Sequence, residues 1–552
     1  MRKSFISFIL ILLVFAGGVP AESGFSLKGV VQFDGHAEGK LIIRLFAVDA
    51  HPGITDIYDG SKALRSLSLE AIGDYSFDNL PPNHYIVTAF IDCDGDGALD
   101  FDPPEPFGWF QTGDSLLLAR VDLRNGDVSE AKIRLRLPTP FDKKGGACEH
   151  GALRWMKGLP VLQLWGTAEE RGYAHGFLAG KRIIDFFEFY ILEYMVRSAK
   201  KYEEFYVPFF ESRFNLPEEF EQELDAVIAG MKAAGTAMHV ELLGRDFTRT
   251  DLLAINAYIE RRAANPVEPV KADECTQFAF WGPLTVDGGL IAGRNMDGEI
   301  DIRKVTVSHF LTFVVEPSEP GRKRWISTMW PGFVGTISGI NEDGLYSMEN
   351  AGPTGPGQVA GGLVPCAWAE RYALETLGAD ATPESVLATM NKFRCEGGGV
   401  TAAGSVILWA VPYNGQEAPA FIYEGDRNGG IMRTPAQVRP LNPYNIMGTN
   451  HYRVYGVDER GPGFNFGREI FCWRYVAGMA ALEAWSRIGR KLGLVEMKQL
   501  LQIVASGSTE YAVIFLANEK KILIANDDLE ADLWDAPHLR WAEFEFDELF
   551  NR

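Results

Sequence analysis

A chain of 552 residues exceeds what one hydrophobic core ordinarily serves, so two or three folding units are expected. With 46% apolar and 23% charged residues, the composition excludes a disordered or fibrous chain. Acidic residues outnumber basic ones by 74 to 53 and no long basic run occurs, which argues against nucleic acid or an anionic membrane as the main partner.

In chain order, Arg2 and Lys3 precede an apolar run from Phe5 to Phe15, which ends in Gly17, Gly18, Val19, Pro20 and Ala21. A basic start, a short apolar core and small residues describe a signal peptide over 1–21, and hence a secreted or periplasmic protein. The run is short for a span of about 20 residues, so no stable membrane span is expected. From 24 to 138, short alternating runs such as Lys40 to Val48, Tyr85 to Ile91 and Ala131 to Leu137 read as strands, with a turn at Pro81-Pro82-Asn83. They predict a small all-β sandwich. Residues 139–150, rich in glycine and lysine, read as a linker.

From 151 to 274 the period becomes helical, with helices expected over Glu169 to Ser198, Pro217 to Ala237 and Arg249 to Arg262. After Cys275 strands return at Phe278 to Trp281, Gly289 to Gly293, Val305 to Val315 and Gly335 to Ile340. Helices follow near Cys366 to Leu377 and Phe471 to Arg487. The fold class is therefore α+β. Six cysteines are too sparse for a disulfide scaffold, and their pairing is left open.

Two clusters carry candidate chemistry. Asp92, Asp94, Asp96 and Asp100 match the first nine positions of a calcium loop, with Gly97 at the sharp turn. Position twelve is Pro103 rather than glutamate and a strand precedes the loop, so a metal-free acidic turn is the competing reading. The second cluster begins at Asp273-Glu274-Cys275-Thr276 and continues in Gly293-Arg294-Asn295-Met296-Asp297. A lone cysteine is ordinarily a small buried hydrophobe. Cleavage of the bond before Cys275 changes that, because the residue then gains an α-amine of pKa about 8 beside its thiol, a base suited to neutral pH. Arg294 would hold the thiolate by charge and Asp297 would orient the amine. A turn at Val286-Asp287-Gly288-Gly289 would bring Cys275 and Arg294 to the same end of a hairpin.

From here the chain resembles the acyl-coenzyme A:6-aminopenicillanic acid acyltransferase (isopenicillin N acyltransferase-like) family of Ntn hydrolases, and more distantly the bile-salt hydrolases and penicillin V acylases. The resemblance runs from Leu159 to the C-terminus through an ordered set of motifs. These are Gly166 to Gly176, Cys275-Thr276, Gly293 to Asp297, Gly339 to Leu345 leading to Glu349-Asn350-Ala351, and Gly448-Thr449-Asn450-His451-Tyr452. It implies an Ntn-hydrolase αββα four-layer sandwich, cut autocatalytically between Glu274 and Cys275. The helical segment 151–274 would then be the first subunit and 275–552 the catalytic segment that begins at the nucleophile.

The resemblance makes Cys275 the nucleophile of an acyl-thioester route and Asn350 and Asn450 the carbonyl or oxyanion donors. Arg474 stands where relatives place a late arginine, with Arg468 competing for that role. His175 and His451 fall in the motifs, yet structural roles are expected for them. Arg294 matches the hydrolase pattern rather than the acyltransferase one, which favours hydrolysis over transfer.

The expected enzyme is a secreted amidase acting on linear amides, with its own cleaved subunit as partner, a small amide as substrate and no catalytic cofactor. Calcium is expected only in the N-terminal unit. The alternatives are a phospholipase B-like lipid deacylase and a non-catalytic exported binding protein.

Overall fold

The computed structural model describes residues 24–48, 60–116, 118–137, 145–264, 275–298, 304–355, 357–359, 361–438, 443–456, 472–529 and 535–552. The signal peptide expected over 1–21, the cleavage-site residue Glu274 and Arg468 lie outside these residues. The chain divides into two compact units, the first drawn from 24–99, 106–111 and 118–136.

The described residues of the first unit form two sheets. In one, Phe25–Gln32 runs between Asp74–Leu80 (antiparallel) and Val128–Arg134 (parallel). In the other, Lys40–Ala47 lies between Arg65–Leu69 and His84–Asp92, which pairs in turn with Phe107–Trp109 and Val121–Asp122. Leu41, Ile43 and Leu45 alternate inward to meet Leu27, Val31, Phe77 and Ile133 in one apolar cluster fed by both sheets.

The second unit is built on a ten-stranded and a six-stranded sheet. The larger runs Gly429–Arg433, Ala420–Asp426, Ser405–Ala410, Tyr346–Ala351, Ser338–Asn341, Trp325–Met329, Leu311–Pro317, Leu159–Gly166, Gly151–Met156 and Gly146–Cys148. The smaller runs Asn445–Gly448, Thr276–Trp281, Leu290–Asp297, Thr509–Leu516, Lys521–Asn526 and Ala542–Glu545. Three of these strands correct the sequence reading. Gly146–Cys148 lies where a linker was expected, and the hairpin Gly151–Met156/Leu159–Gly166 occupies the start of the supposedly helical segment. Leu159–Gly166 pairs in parallel with Leu311–Pro317, a partner about 150 residues away that no local period can reveal. The run Val305 to Val315 also departs from expectation, because Val305–Ser308 is a helical turn and only Leu311–Pro317 is strand.

Helices cover both sheets. Helix Ala168–Phe186 starts at a capping box made by Thr167 and Glu170 and continues as a wider π-helical stretch, Phe187–Val196. Helix Glu218–Ala233 lies directly against it. A Cβ at Gly176 would fall 1.9 Å from the Val227 carbonyl, and one at Gly230 would fall 2.0 Å from that of Tyr173, so only glycine allows this approach. Arg371, in helix Cys366–Thr376, reaches that pair through Glu223 at 2.7 Å and pairs at 2.8 Å with Glu375 of its own helix, which accepts the Trp325 indole N–H from the large sheet at 3.0 Å. Helix Leu494–Ile503 packs on the small sheet, where Asn295 donates to the Leu501 carbonyl at 2.8 Å.

The two sheets meet directly. Gln277 Nε2 donates to the Val406 carbonyl at 3.0 Å, and the rings of Tyr346 and Phe515 are 5.4 Å apart. No helix among the described residues is long and apolar enough to cross a membrane, and all six cysteines are free thiols.

Candidate active site

Cys275 precedes the strand Thr276–Trp281, and antiparallel pairing sets Thr276 opposite Asn295. That register brings Arg294 and Asp297 to the end of the hairpin where Cys275 lies. The Arg294 Nη2 atom is 3.6 Å from Cys275 Sγ and 3.0 Å from Met296 Sδ. Its other terminal nitrogen donates to the Ile337 carbonyl and, at 2.5 Å, to Ser338 Oγ on the ten-stranded sheet. The guanidinium is thus fixed between the sheets with one edge toward sulfur. Burial works against its charge, but the negative forms of Tyr511 and Cys275 more than offset this and hold its pKa above the ordinary value.

Cys275 itself is only 2% exposed. Its backbone N–H donates to Asn450 Oδ1 at 3.0 Å, and its thiol stands 3.6 Å from the Asp297 carbonyl oxygen. Arg474 clamps the same residue. It donates to the Cys275 carbonyl, to Thr276 Oγ1 at 2.9 Å and to Asn450 Oδ1 at 3.1 Å. Helix Trp473–Arg487 supplies Arg474 from its first turn.

In this uncut chain the Cys275 N–H is taken by Asn450. The Asp297 carboxyl accepts a hydrogen bond from Thr509 Oγ1 at 2.5 Å. Burial raises its pKa to about 7, against a lowering by the Arg474 charge and by the Thr509 and Ser506 hydroxyls.

The two asparagines differ. Asn450 is committed, because its Nδ2 donates to the Ala351 carbonyl at 2.8 Å while its Oδ1 takes the Cys275 N–H and Arg474. Asn350 is fully buried, yet neither its Nδ2 nor its Oδ1 has a hydrogen-bond partner. An amide left this way loses the interactions it had in water, a cost of about 1–3 kcal/mol that function or a bound ligand ordinarily explains. Strand Tyr346–Ala351 directs Asn350 toward the small sheet, on the face that also carries Tyr346 and Met348.

His175 is bonded away from this network. His175 Nε2 accepts from the Gly332 N–H at 3.0 Å, and burial pushes its pKa down to about 3, so it is neutral. His451 is likewise driven down to about 4, by burial first and by Arg474 and Arg453 next. Met296, Ser338, Thr509 and Tyr511 complete the surroundings without having been singled out from sequence. Met296 had a signal in lying between Arg294 and Asp297; the other three arrive by long-range pairing and had none.

In the first unit, the carboxylate oxygens of Asp92, Asp94 and Asp96 lie within 4.8 Å of one another, and Asp100 is not in this group. Each of the three already accepts a backbone N–H of its own loop, from Gly95, Asp96 and Ala98 respectively.

The site is thus a buried thiol with a fixed guanidinium at its sulfur, a clamped backbone and a free amide near by, an arrangement suited to nucleophilic attack on a carbonyl. No protein-family model and no curated protein matches the chain. Solved structures do. A Caenorhabditis elegans ortholog of N-acylethanolamine-hydrolyzing acid amidase is 15% identical, covers 44% of this chain and 93% of its own, and has a TM-score of 0.32. A conjugated bile acid hydrolase from Clostridium perfringens, in a mutant form, is 11% identical over 49% of this chain and 92% of its own, with a TM-score of 0.31. Penicillin V acylase from Agrobacterium tumefaciens is 15% identical over 46% of this chain and 83% of its own, with a TM-score of 0.29.

Proposed function

We propose that this chain is an exported Ntn hydrolase of αββα architecture, which cuts itself before Cys275 and then hydrolyses linear amides through that cysteine. The observation that supports this most strongly is the convergence of Arg294 on the Cys275 sulfur and of Asn450 and Arg474 on its backbone, all within the protein interior.

In self-cleavage, Cys275 Sγ adds to the Glu274 carbonyl carbon and the C–N bond breaks. The thiol proton passes to the departing α-amine, leaving a thioester. Water hydrolyses that thioester to give the Glu274 carboxylate, a free thiol and the α-amine of Cys275. The new amine keeps the Asn450 oxygen as an acceptor and serves as the base.

The catalytic cycle repeats the chemistry on a substrate amide. Sulfur attacks the carbonyl, the substrate's amine leaves with the proton, and water releases the acid from the acyl-thioester. Asn350 Nδ2, which has no other partner, donates to the oxyanion, while Arg294 holds the sulfur as thiolate before attack. So written, the reaction calls for no cofactor. The resemblance of the Arg294 position to the hydrolase pattern rather than the acyltransferase one favours hydrolysis over acyl transfer. The partners are then the chain's own cleaved subunit and a small amide.

The test is intact mass and N-terminal sequencing of the purified protein beside Cys275→Ala. Two fragments, the second beginning at Cys275 and absent from the variant, are expected. An uncut chain in both preparations would falsify the self-cleavage step and with it the amine as base.

A further inference from the structure

The strand that offers Asn350 to the interior has an opposite face, and that face carries a second buried cluster. Ser347 and Glu349 alternate with Met348 and Asn350 and turn toward helix Cys366–Thr376. There the Cys366 sulfur and one oxygen each from Glu349 and Glu370 lie within 4.8 Å of one another. All three residues are 1% exposed or less. Neither oxygen of Glu370 accepts a hydrogen bond of normal geometry, and the same holds for Glu349 Oε2, while Ser347 Oγ is also unpartnered. Ser405 Oγ donates to Glu349 Oε1 and stands 3.9 Å from the Cys366 sulfur, and the Cys366 N–H donates to Glu260. Among the described residues no ion pair reaches Glu349 or Glu370.

Two carboxyls and a thiol packed together without a cation cannot all ionise. As bare groups each is pushed up, by burial first; for Cys366 and Glu370 the charges of neighbouring carboxylates add to it, while the Ser405 hydroxyl, the adjoining Glu370 carboxyl and the more distant Arg294 partly relieve Glu349. A divalent cation reverses that balance, because it deprotonates a coordinating thiol outright and gives the orphaned oxygens their missing partner. One soft sulfur and two carboxylate oxygens, with a serine hydroxyl beside them, form a donor set suited to four-coordinate zinc. Ligand bonds of about 2.0–2.3 Å bring such atoms to about 3.5 Å of one another, a contraction that side-chain rotation supplies.

We infer that Cys366, Glu349 and Glu370 form a zinc site that ties strand Tyr346–Ala351 to helix Cys366–Thr376. The inference rests on this cluster and not on the amidase reading, although the metal would lie one residue from Asn350 and so hold that amide in position.

The experiment uses the purified full chain. Metal content is measured by mass spectrometry after dialysis against a chelator, and cobalt is then exchanged in and the thiolate-to-cobalt absorption recorded. About one zinc per chain is expected. A cobalt–thiolate band is expected in the wild type and in Cys275→Ala, and is expected to vanish in Cys366→Ser. Glu370→Gln should lower zinc retention at least tenfold. Absence of both bound metal and a cobalt–thiolate band in the unmutated protein overturns the site, whatever the variants do. A band that survives Cys366→Ser but disappears in Cys275→Ala overturns it equally, by assigning the metal to the other thiol.

Discussion

The two faces of strand Tyr346–Ala351 solve the problem of buried polarity in opposite ways. Toward the small sheet, Arg294, Asn450 and Arg474 form a cross-linked set around Cys275, and the one buried acid there, Asp297, has a hydroxyl donor at 2.5 Å. Toward helix Cys366–Thr376, the acids Glu349 and Glu370 face a thiol and leave three oxygens without donors. The first face carries an uncharged amide, Asn350, with neither polar atom partnered, a group that can receive developing charge without reorganising. The second is organised for a bound charge. Residues adjacent in sequence, Glu349 and Asn350, thus serve different ends because a strand sends them to opposite sides.

The largest effect that could break this comparison lies at Asn350. Asn350→Ala is expected to lower kcat by about 10²- to 10³-fold, the usual loss for one oxyanion donor, with KM little changed. Its melting temperature should hold or rise, because an unpaired buried amide is removed. A variant with full kcat would show that Asn350 does not meet the reacting carbonyl. Self-cleavage of the same variant, followed by mass, separates a defect in processing from one in turnover.

The sequence made the first face legible and hid the second. Cys275, Arg294 and Asp297 sit on one hairpin whose turn and alternation are local, and their motifs ordered them in a known pattern. Asn350, Asn450 and Arg474 were named only by resemblance, because their meeting depends on two sheets that no single period predicts. The side chain that accepts the Cys275 N–H likewise comes from 175 residues further along the chain. Cys366 and Glu370 read as ordinary helix residues, and nothing local shows that they share a space with Glu349. The hairpin at Gly151–Gly166 was missed because its parallel partner, Leu311–Pro317, lies across the whole helical segment.

A smaller effect sharpens the contrast between the acids. Asp297 has its folded pKa raised to about 7, above the ordinary carboxylate value of about 3.9. The stability tied to its neutral form is therefore complete below pH about 4 and is lost as pH rises through about 7. In the uncleaved Cys275→Ala chain, where no free amine competes, unfolding midpoints should fall across that window. Asp297→Asn should flatten the fall but not abolish it, because burial also raises Asp527 to about 7. Stability that rises over the same window, with or without the substitution, would mean that Asp297 is ionised in the folded protein and that Arg474 outweighs burial.

The smallest effect belongs to the acids that lie mostly in water. Asp94 and Asp96 are exposed, and with Asp92 they accept the backbone N–H groups of Gly95, Asp96 and Ala98 in a turn whose two glycines, Gly95 and Gly97, have φ of 87° and 80°. Such a turn is already held by its own hydrogen bonds, so calcium at Asp92, Asp94 and Asp96 adds little. A weak site with Kd in the 10⁻⁴–10⁻³ M range would stabilise the unit by about 1.4 kcal/mol at tenfold excess over Kd. Calcium titration followed by melting should show a shift of that order or less, removed by Asp94→Asn with Asp96→Asn. A larger shift that survives both substitutions would place the calcium elsewhere, whereas zinc content should be indifferent to them. Exposed acids with backbone donors can do without a cation, and buried acids without donors cannot; that difference is what the pair of titrations measures.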